Sequence, residues 1–152
     1  LGEYRKEAPF PVSDYLPKIL RLMFPRPDYT ITPYIRADGA DRNGIITEDG
    51  LFGAAICNEP FSAAVSKRLL EQRTPILIVS GSDDAFFLRP IYNVTLRAVQ
   101  LRAAQGRMWV VRAYKTGVSA VIAPNGDVVA KIDAGQRGII YFGPSDISVD
   151  VR

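Results

Sequence analysis

The 152-residue sequence contains no histidine and one cysteine, Cys57. Without imidazole there is no Ser-His-Asp triad, no Cys-His pair and no zinc site of the usual Cys/His kind, so any catalysis must use carboxylate, lysine, thiol or backbone groups. One thiol closes no internal disulfide. No stretch approaches the roughly 20 consecutive apolar residues that a bilayer-spanning helix needs. Runs of one charge are missing too: 19 Lys and Arg are scattered among 16 Asp and Glu, for a net charge of +3. Phosphate-backbone binding needs clustered cations, so nucleic acid is not an expected partner.

What is present suffices for one domain. With 47% hydrophobic and 23% charged residues, a chain of this length buries a sizeable core. Residues 1–28 read as a loop-rich entry with one short helix at 15–23. Two short strands, 29–35 and 44–48, flank the polar turn cluster ADGADRNG. A buried strand at 51–57, a helix at 61–72 with Phe61, Ala64, Val65 and Leu69 on one face, and an all-apolar strand at 75–79 make a βαβ unit, which implies parallel pairing. A second helix is expected at 94–105, then strands at 108–113, 117–123, 128–132 and 138–143. Pro124-Asn125-Gly126-Asp127 is a hairpin signal between the third- and second-last of these.

The lone thiol stands at a corner. In FGAAICNEPF (52–61) the apolar run stops at Cys57, and Asn58-Glu59-Pro60 breaks the strand and begins a helix. A side chain at the carboxyl end of a parallel strand faces the crevice where α/β proteins bind ligands. Asn58 suits a helix cap and Pro60 a first turn. Amide groups at such a corner favour a thiolate or an oxyanion, the arrangement of a nucleophile elbow. By the plainer reading Cys57 is a small core residue finishing an apolar strand.

Four stretches in order, YRKEAPFPVSDYLP (4–17), AAICNE (54–59), SDDAFF (82–87) and GRMWVVRAYKTGVSAVIAPNGDVVAK (106–131), resemble the nitrilase (carbon–nitrogen hydrolase) superfamily. They look most like its apolipoprotein N-acyltransferase branch. That branch follows a lysine with Pro-Phe-Gly-Glu-Tyr-x-Pro; here Lys6 is followed by Pro11-Val12-Ser13-Asp14-Tyr15-Leu16-Pro17. Its Ile-Cys-Tyr-Glu is similar to Ile56-Cys57-Asn58-Glu59, and its Arg-Ala before a Gly-containing turn to Arg112-Ala113 before Thr116-Gly117.

The resemblance implies an α/β fold, a four-layer αββα sandwich, of which residues 1–152 form a partial domain, a C-terminal portion lacking the first strands and helix. It implies Cys57 as nucleophile, Lys6 as the cation that stabilises the tetrahedral oxyanion, and Glu59 and Asp14 as accessory acidic residues; no metal or cofactor is called for. The family's proton-accepting glutamate lies upstream of the lysine, and Glu3 and Glu7 stand too near Lys6 to replace it. Departures are Asn58 for an aromatic, Asp14 for Glu and Ala104 where Glu is frequent.

The expected activity is acyl transfer through a thioester, from a phospholipid to the amino terminus of a lipoprotein. A soluble amidase or nitrilase passing the acyl group to water is the second reading, although Ala8 stands where such enzymes carry His. A non-catalytic remnant or interaction module is the third. The acyltransferase reading implies a domain outside the cytoplasm at a bacterial inner membrane; the amidase reading implies the cytoplasm. Association with the missing N-terminal half or with a second copy is the further partner expectation. Phe86, Phe87 and Tyr92 are candidates for an acyl pocket or a membrane-facing loop, with core packing or an ordinary surface loop as the favoured reading. Asn93-Val94-Thr95 has the form of a glycosylation acceptor.

Overall fold

The computed structural model describes residues 4, 6–8, 45–48, 50–83, 89–143 and 147–151. The expected helix at 15–23, the strand at 29–35, and Asp14, Phe86 and Phe87 lie outside them. Among the described residues eight strands and two α-helices follow in order: β1 (Ile45–Thr47), β2 (Gly50–Ile56), α1 (Ala63–Gln72), β3 (Ile76–Gly81), α2 (Arg89–Gly106), β4 (Trp109–Tyr114), β5 (Ser119–Ile122), β6 (Val128–Ile132), β7 (Gly138–Phe142) and β8 (Ile147–Val151). Strands β1 to β6 form one mixed sheet in sequence order. Its centre, β2, β3 and β4, is parallel, with α1 and α2 as the crossovers; β1, β5 and β6 pair antiparallel on the flanks. The βαβ reading of residues 51–79 therefore holds, and a second such unit follows it.

The core lies between the sheet and the helices. Period-2 alternation sends Leu77 and Val79 of β3, Val110 of β4 and Ala120 and Ile122 of β5 inward. They meet Val65 and Leu69 of α1, Val99 and Ala103 of α2, and Met108. On the opposite face Ile76 and Val111 are half-buried and Ile78 is exposed. The β7–β8 hairpin forms a separate two-stranded sheet, with the Phe142 ring 5.1 Å from that of Trp109. The expected 124–127 turn closes β5 onto β6: the Ala123 N–H donates to the Asp127 carbonyl at 2.8 Å, and Gly126 supplies the left-handed φ of 91° that the turn requires.

The region after the thiol differs from expectation. Instead of one helix over 61–72, a short 3-10 turn covers Glu59–Phe61, Ser62 adopts an extended conformation, and α1 starts at Ala63. Ser62, not Asn58, is the cap of the helix; its Oγ accepts the Val65 N–H, while Asn58 makes no capping bond. This break rotates Phe61 and Ala64 to solvent, leaving Val65, Ser66 and Leu69 as the buried face. The second helix begins five residues earlier than its periodicity predicts, with Pro90 in its first turn, where a missing N–H costs nothing.

Leu77 has no exposed surface at the centre of this core. Leu77→Ala is expected to cost about 2–5 kcal/mol through lost burial and the residual cavity, read as a lower denaturation midpoint with an unchanged denaturant slope.

Candidate active site

Cys57 follows the last residue of β2 and takes a left-handed φ of 57°. For a residue with a Cβ that conformation costs about 1–3 kcal/mol, and persists only where the surroundings over-determine it. They do so here on both sides of the residue. Its N–H donates to the Ser80 carbonyl at 2.7 Å, extending the β2–β3 ladder past the strand. Its carbonyl accepts from the Tyr114 hydroxyl at 2.7 Å. The half-buried Sγ lies 3.8 Å from the Ser82 carbonyl oxygen. The thiol thus sits at the carboxyl edge of two parallel strands, as the strand-end reading expects. Gly81 makes this possible: a Cβ there would come within 2.8 Å of the Cys57 Cα and 3.0 Å of the Tyr114 Cζ.

Two residues on, Glu59 is fully buried. Its Oε2 accepts from the Ile56 N–H at 2.7 Å and from the Tyr4 hydroxyl at 2.8 Å; its Oε1 accepts from the Ala8 N–H at 3.0 Å and from the Glu7 N–H. Four donors converging on one carboxylate is an arrangement that satisfies a buried acid. Burial, followed by the neighbouring Glu59 charge, pushes the Tyr4 phenol well above its ordinary pKa, so it remains a donor. Glu59 thus opens the 3-10 turn with its carboxylate turned inward, away from solvent.

Arg68 of α1 grips the same segment from the other side. Its guanidinium donates to the Tyr4 hydroxyl at 3.2 Å and the Ala54 carbonyl at 3.4 Å, and its Nε lies 3.1 Å from the Glu7 carboxylate. Half-buried Lys6 lies within this clamped segment, between Tyr4 on one side and Glu7 and Ala8 on the other. The structure therefore brings together the segment carrying Lys6, Glu59 and the turn of Cys57. Asp14 lies outside the described residues.

A second buried cluster stands behind the elbow. Arg112 of β4 is 1% exposed; its Nη2 donates to Asp83 Oδ2 at 3.0 Å and to Thr95 Oγ1 at 2.8 Å. Its guanidinium carbon lies 3.7 Å from the Tyr114 ring centroid. Burial lowers the Arg112 pKa from its ordinary value, opposed by Tyr114 and Asp83. The Thr95 hydroxyl is buried here, with its hydrogen-bonding capacity spent on Asp83, Arg112 and the Tyr92 carbonyl. That gives Thr95 of the Asn93-Val94-Thr95 triplet a structural role, while Asn93 and Val94 are exposed. Sequence reading missed Tyr4, Arg68 and Tyr114 and gave Arg112 no role. A signal existed for Arg112: within MWVVRAY a charge occupies the inward register shared by Val110 and Tyr114.

These features define an α/β protein whose thiol sits on a strained turn at the carboxyl edge of the parallel centre of a mixed sheet, with a lysine-bearing segment hydrogen-bonded to the Glu59 of that turn. The chain matches the Carbon-nitrogen hydrolase family over residues 1–143, and it belongs to that family. It is 28% identical over 146 residues to the apolipoprotein N-acyltransferase of Pseudomonas syringae pv. tomato, covering 92% of this chain and 28% of that protein. To the apolipoprotein N-acyltransferase of Azotobacter vinelandii it is 26% identical over 149 residues, covering 92% and 27%. The chain thus spans little more than a quarter of the length of these relatives. The same fold occurs in the Helicobacter pylori G27 carbon–nitrogen hydrolase, with a TM-score of 0.52, 17% identity and coverage of 60% and 39%. It occurs also in Saccharomyces cerevisiae Nit3, a member of branch 10 of the nitrilase superfamily, with a TM-score of 0.50, 19% identity and coverage of 60% and 36%. No helix among the described residues is long and apolar enough to cross a membrane.

Glu59→Gln keeps the side-chain shape but turns one of the two acceptor atoms into a donor facing other donors. It is expected to cost about 2–4 kcal/mol and to speed amide hydrogen exchange at Ile56, Glu7 and Ala8 selectively, measured by exchange mass spectrometry against the unchanged β3–β4 core.

Proposed function

We propose that this chain carries the thiol and the cation of an acyltransferase of the apolipoprotein N-acyltransferase kind. The observation that supports the reading is the Glu59 carboxylate, which ties residues 4, 7 and 8, the neighbours of Lys6, to the turn of Cys57. The relatives with this name support it, as does the histidine-free composition.

In the proposed reaction the Cys57 thiolate attacks the ester carbonyl of a phospholipid. A C–S bond forms, the C–O bond to the glycerol breaks, and a thioester remains on Cys57. The Lys6 ammonium stabilises the oxyanion of the tetrahedral intermediate. The thiol proton goes to a carboxylate that the family carries upstream of the lysine and returns to the leaving alkoxide. The amino terminus of a lipoprotein then attacks the thioester, forming an amide and freeing the thiol. The domain would work outside the cytoplasm, against the inner membrane that holds both substrates.

Full-length protein incubated with a p-nitrophenyl ester is expected to gain one acyl mass on Cys57, and Cys57→Ser to gain none as a thioester. Lys6→Met is expected to slow acylation by about 10²–10³-fold, as loss of an oxyanion donor does. Adding a short peptide with a free amino terminus is expected to move the acyl group to that amine. Loss of the group to water at a rate independent of the peptide would replace acyl transfer by hydrolysis, and a chain that never acylates would be a non-catalytic remnant.

A further inference from the structure

The left-handed turn at Cys57 is held from below by a side chain from two strands away. Tyr114 pairs with Gly81 at the end of the parallel β3–β4 ladder. Because Gly81 has no Cβ, the Tyr114 ring passes beneath it: an added Cβ would lie 3.0 Å from the Tyr114 Cζ. The ring thereby crosses β3 and brings its hydroxyl to the Cys57 carbonyl at 2.7 Å. The peptide that bears this carbonyl is the one that follows the Cys57 Cα, so fixing it fixes ψ at the residue whose φ is already strained.

The ring has its own anchor. Arg112 lies against its face at 3.7 Å, a cation–π contact strengthened by desolvation. The guanidinium is in turn oriented by Asp83, just past β3, and by Thr95 on α2. Its Nε and Nη1 have no hydrogen-bond partner among the described residues, an unusual cost for a buried charge that a purely packing role would not explain. A phenylalanine at 114 would fill the same space without burying a hydroxyl.

We propose that Tyr114 is a positioning residue for the nucleophile: its hydroxyl, seated by Arg112 against the ring, fixes the Cys57 peptide and thereby the direction in which Sγ projects into the crevice. The inference rests on the reading of Cys57 as the acylated thiol. Burial, opposed by Arg112, keeps the phenol pKa above its ordinary value, so the hydroxyl donates throughout the neutral range.

The test is pre-steady-state acylation of full-length protein by p-nitrophenyl butyrate. The Cys57 thiolate forms a C–S bond to the butyryl carbon, the C–O bond breaks, and p-nitrophenolate leaves as the coloured product. The burst amplitude counts competent thiols and its rate constant reports their alignment. Tyr114→Phe is expected to keep the amplitude while lowering the rate constant about 10- to 100-fold, the scale of a small misplacement of a reacting group. Arg112→Lys, which keeps a cation over the ring but loosens its seat, is expected to fall between parent and Tyr114→Phe. A parent-like rate constant per titrated thiol in whichever variant folds overturns the proposal, including the case where amplitude alone falls and the phenol is a fold stabiliser only. If the parent itself forms no butyryl-Cys57 adduct, the nucleophile reading fails and takes this proposal with it, so the two failures are told apart by the parent alone.

Discussion

The interaction on which the site depends is the set of hydrogen bonds received by the Glu59 carboxylate. One side chain, two residues past the thiol, accepts from the end of β2 and from three groups of the segment at residues 4–8. Removing a carboxylate from water costs several kcal/mol, and bonds to a charged acceptor return about 1.5–3 kcal/mol each. The arrangement is favourable only with most of its donors in place, so it acts as a unit. Parts far apart in sequence are thereby bound to one turn, and Lys6 is carried along with its neighbours. Arg68 reinforces the same joint from α1 by reaching Tyr4, Glu7 and the Ala54 carbonyl.

The sheet supplies the opposite wall. Parallel pairing of β2, β3 and β4 in register puts Ile56 beside Ser80 and Ser80 beside Ala113, so all three strands end at the same level. Residues just past those ends, Cys57, Ser82, Asp83, Thr116, share one edge, and the Ser82 and Thr116 hydroxyls lie 3.1 Å apart there. Beneath that edge an Arg–Asp pair with no exposed side-chain surface replaces what would otherwise be hydrocarbon. Such a pair contributes little net stability. Its effect is directional, fixing the Tyr114 ring and with it the far side of the elbow. The thiol is thus held between two polar clusters, one reaching in from the amino-terminal segment and one rising from the core.

Much of the fold was legible because it follows from local rules. All-apolar runs at 51–57 and 75–79 around an amphipathic stretch could pair only in parallel, and Pro124-Asn125-Gly126-Asp127 could only turn the chain back. The thiol's corner was legible for the same reason: an apolar run meeting Asn-Glu-Pro has to end. The break at Ser62 was not, since an extended residue inside a helical pattern is set by how the Glu59–Phe61 turn docks, not by periodicity. Strand β8, which pairs with β7, was missed although the alternation of ISVDV is itself a strand signal. Glu59 was legible as a position but not as a hub, since three of its four donors come from more than 50 residues away. For Tyr114 the decisive fact is the missing Cβ of Gly81 in the neighbouring strand, which no reading of residue 114 by itself contains.

The backbone at residue 57 prefers a residue without a sulfur, indeed without any side chain at all. Left-handed φ is strain-free only for glycine, so the turn would relax if the sulfur were given up, and branched replacements such as valine or threonine would crowd it further. Fold stability taken alone would therefore drift this position toward the residue with nothing on it. That a cysteine occupies it instead means the molecule stores conformational energy at a single peptide unit, with its surroundings, more than the residue itself, keeping that energy from being released.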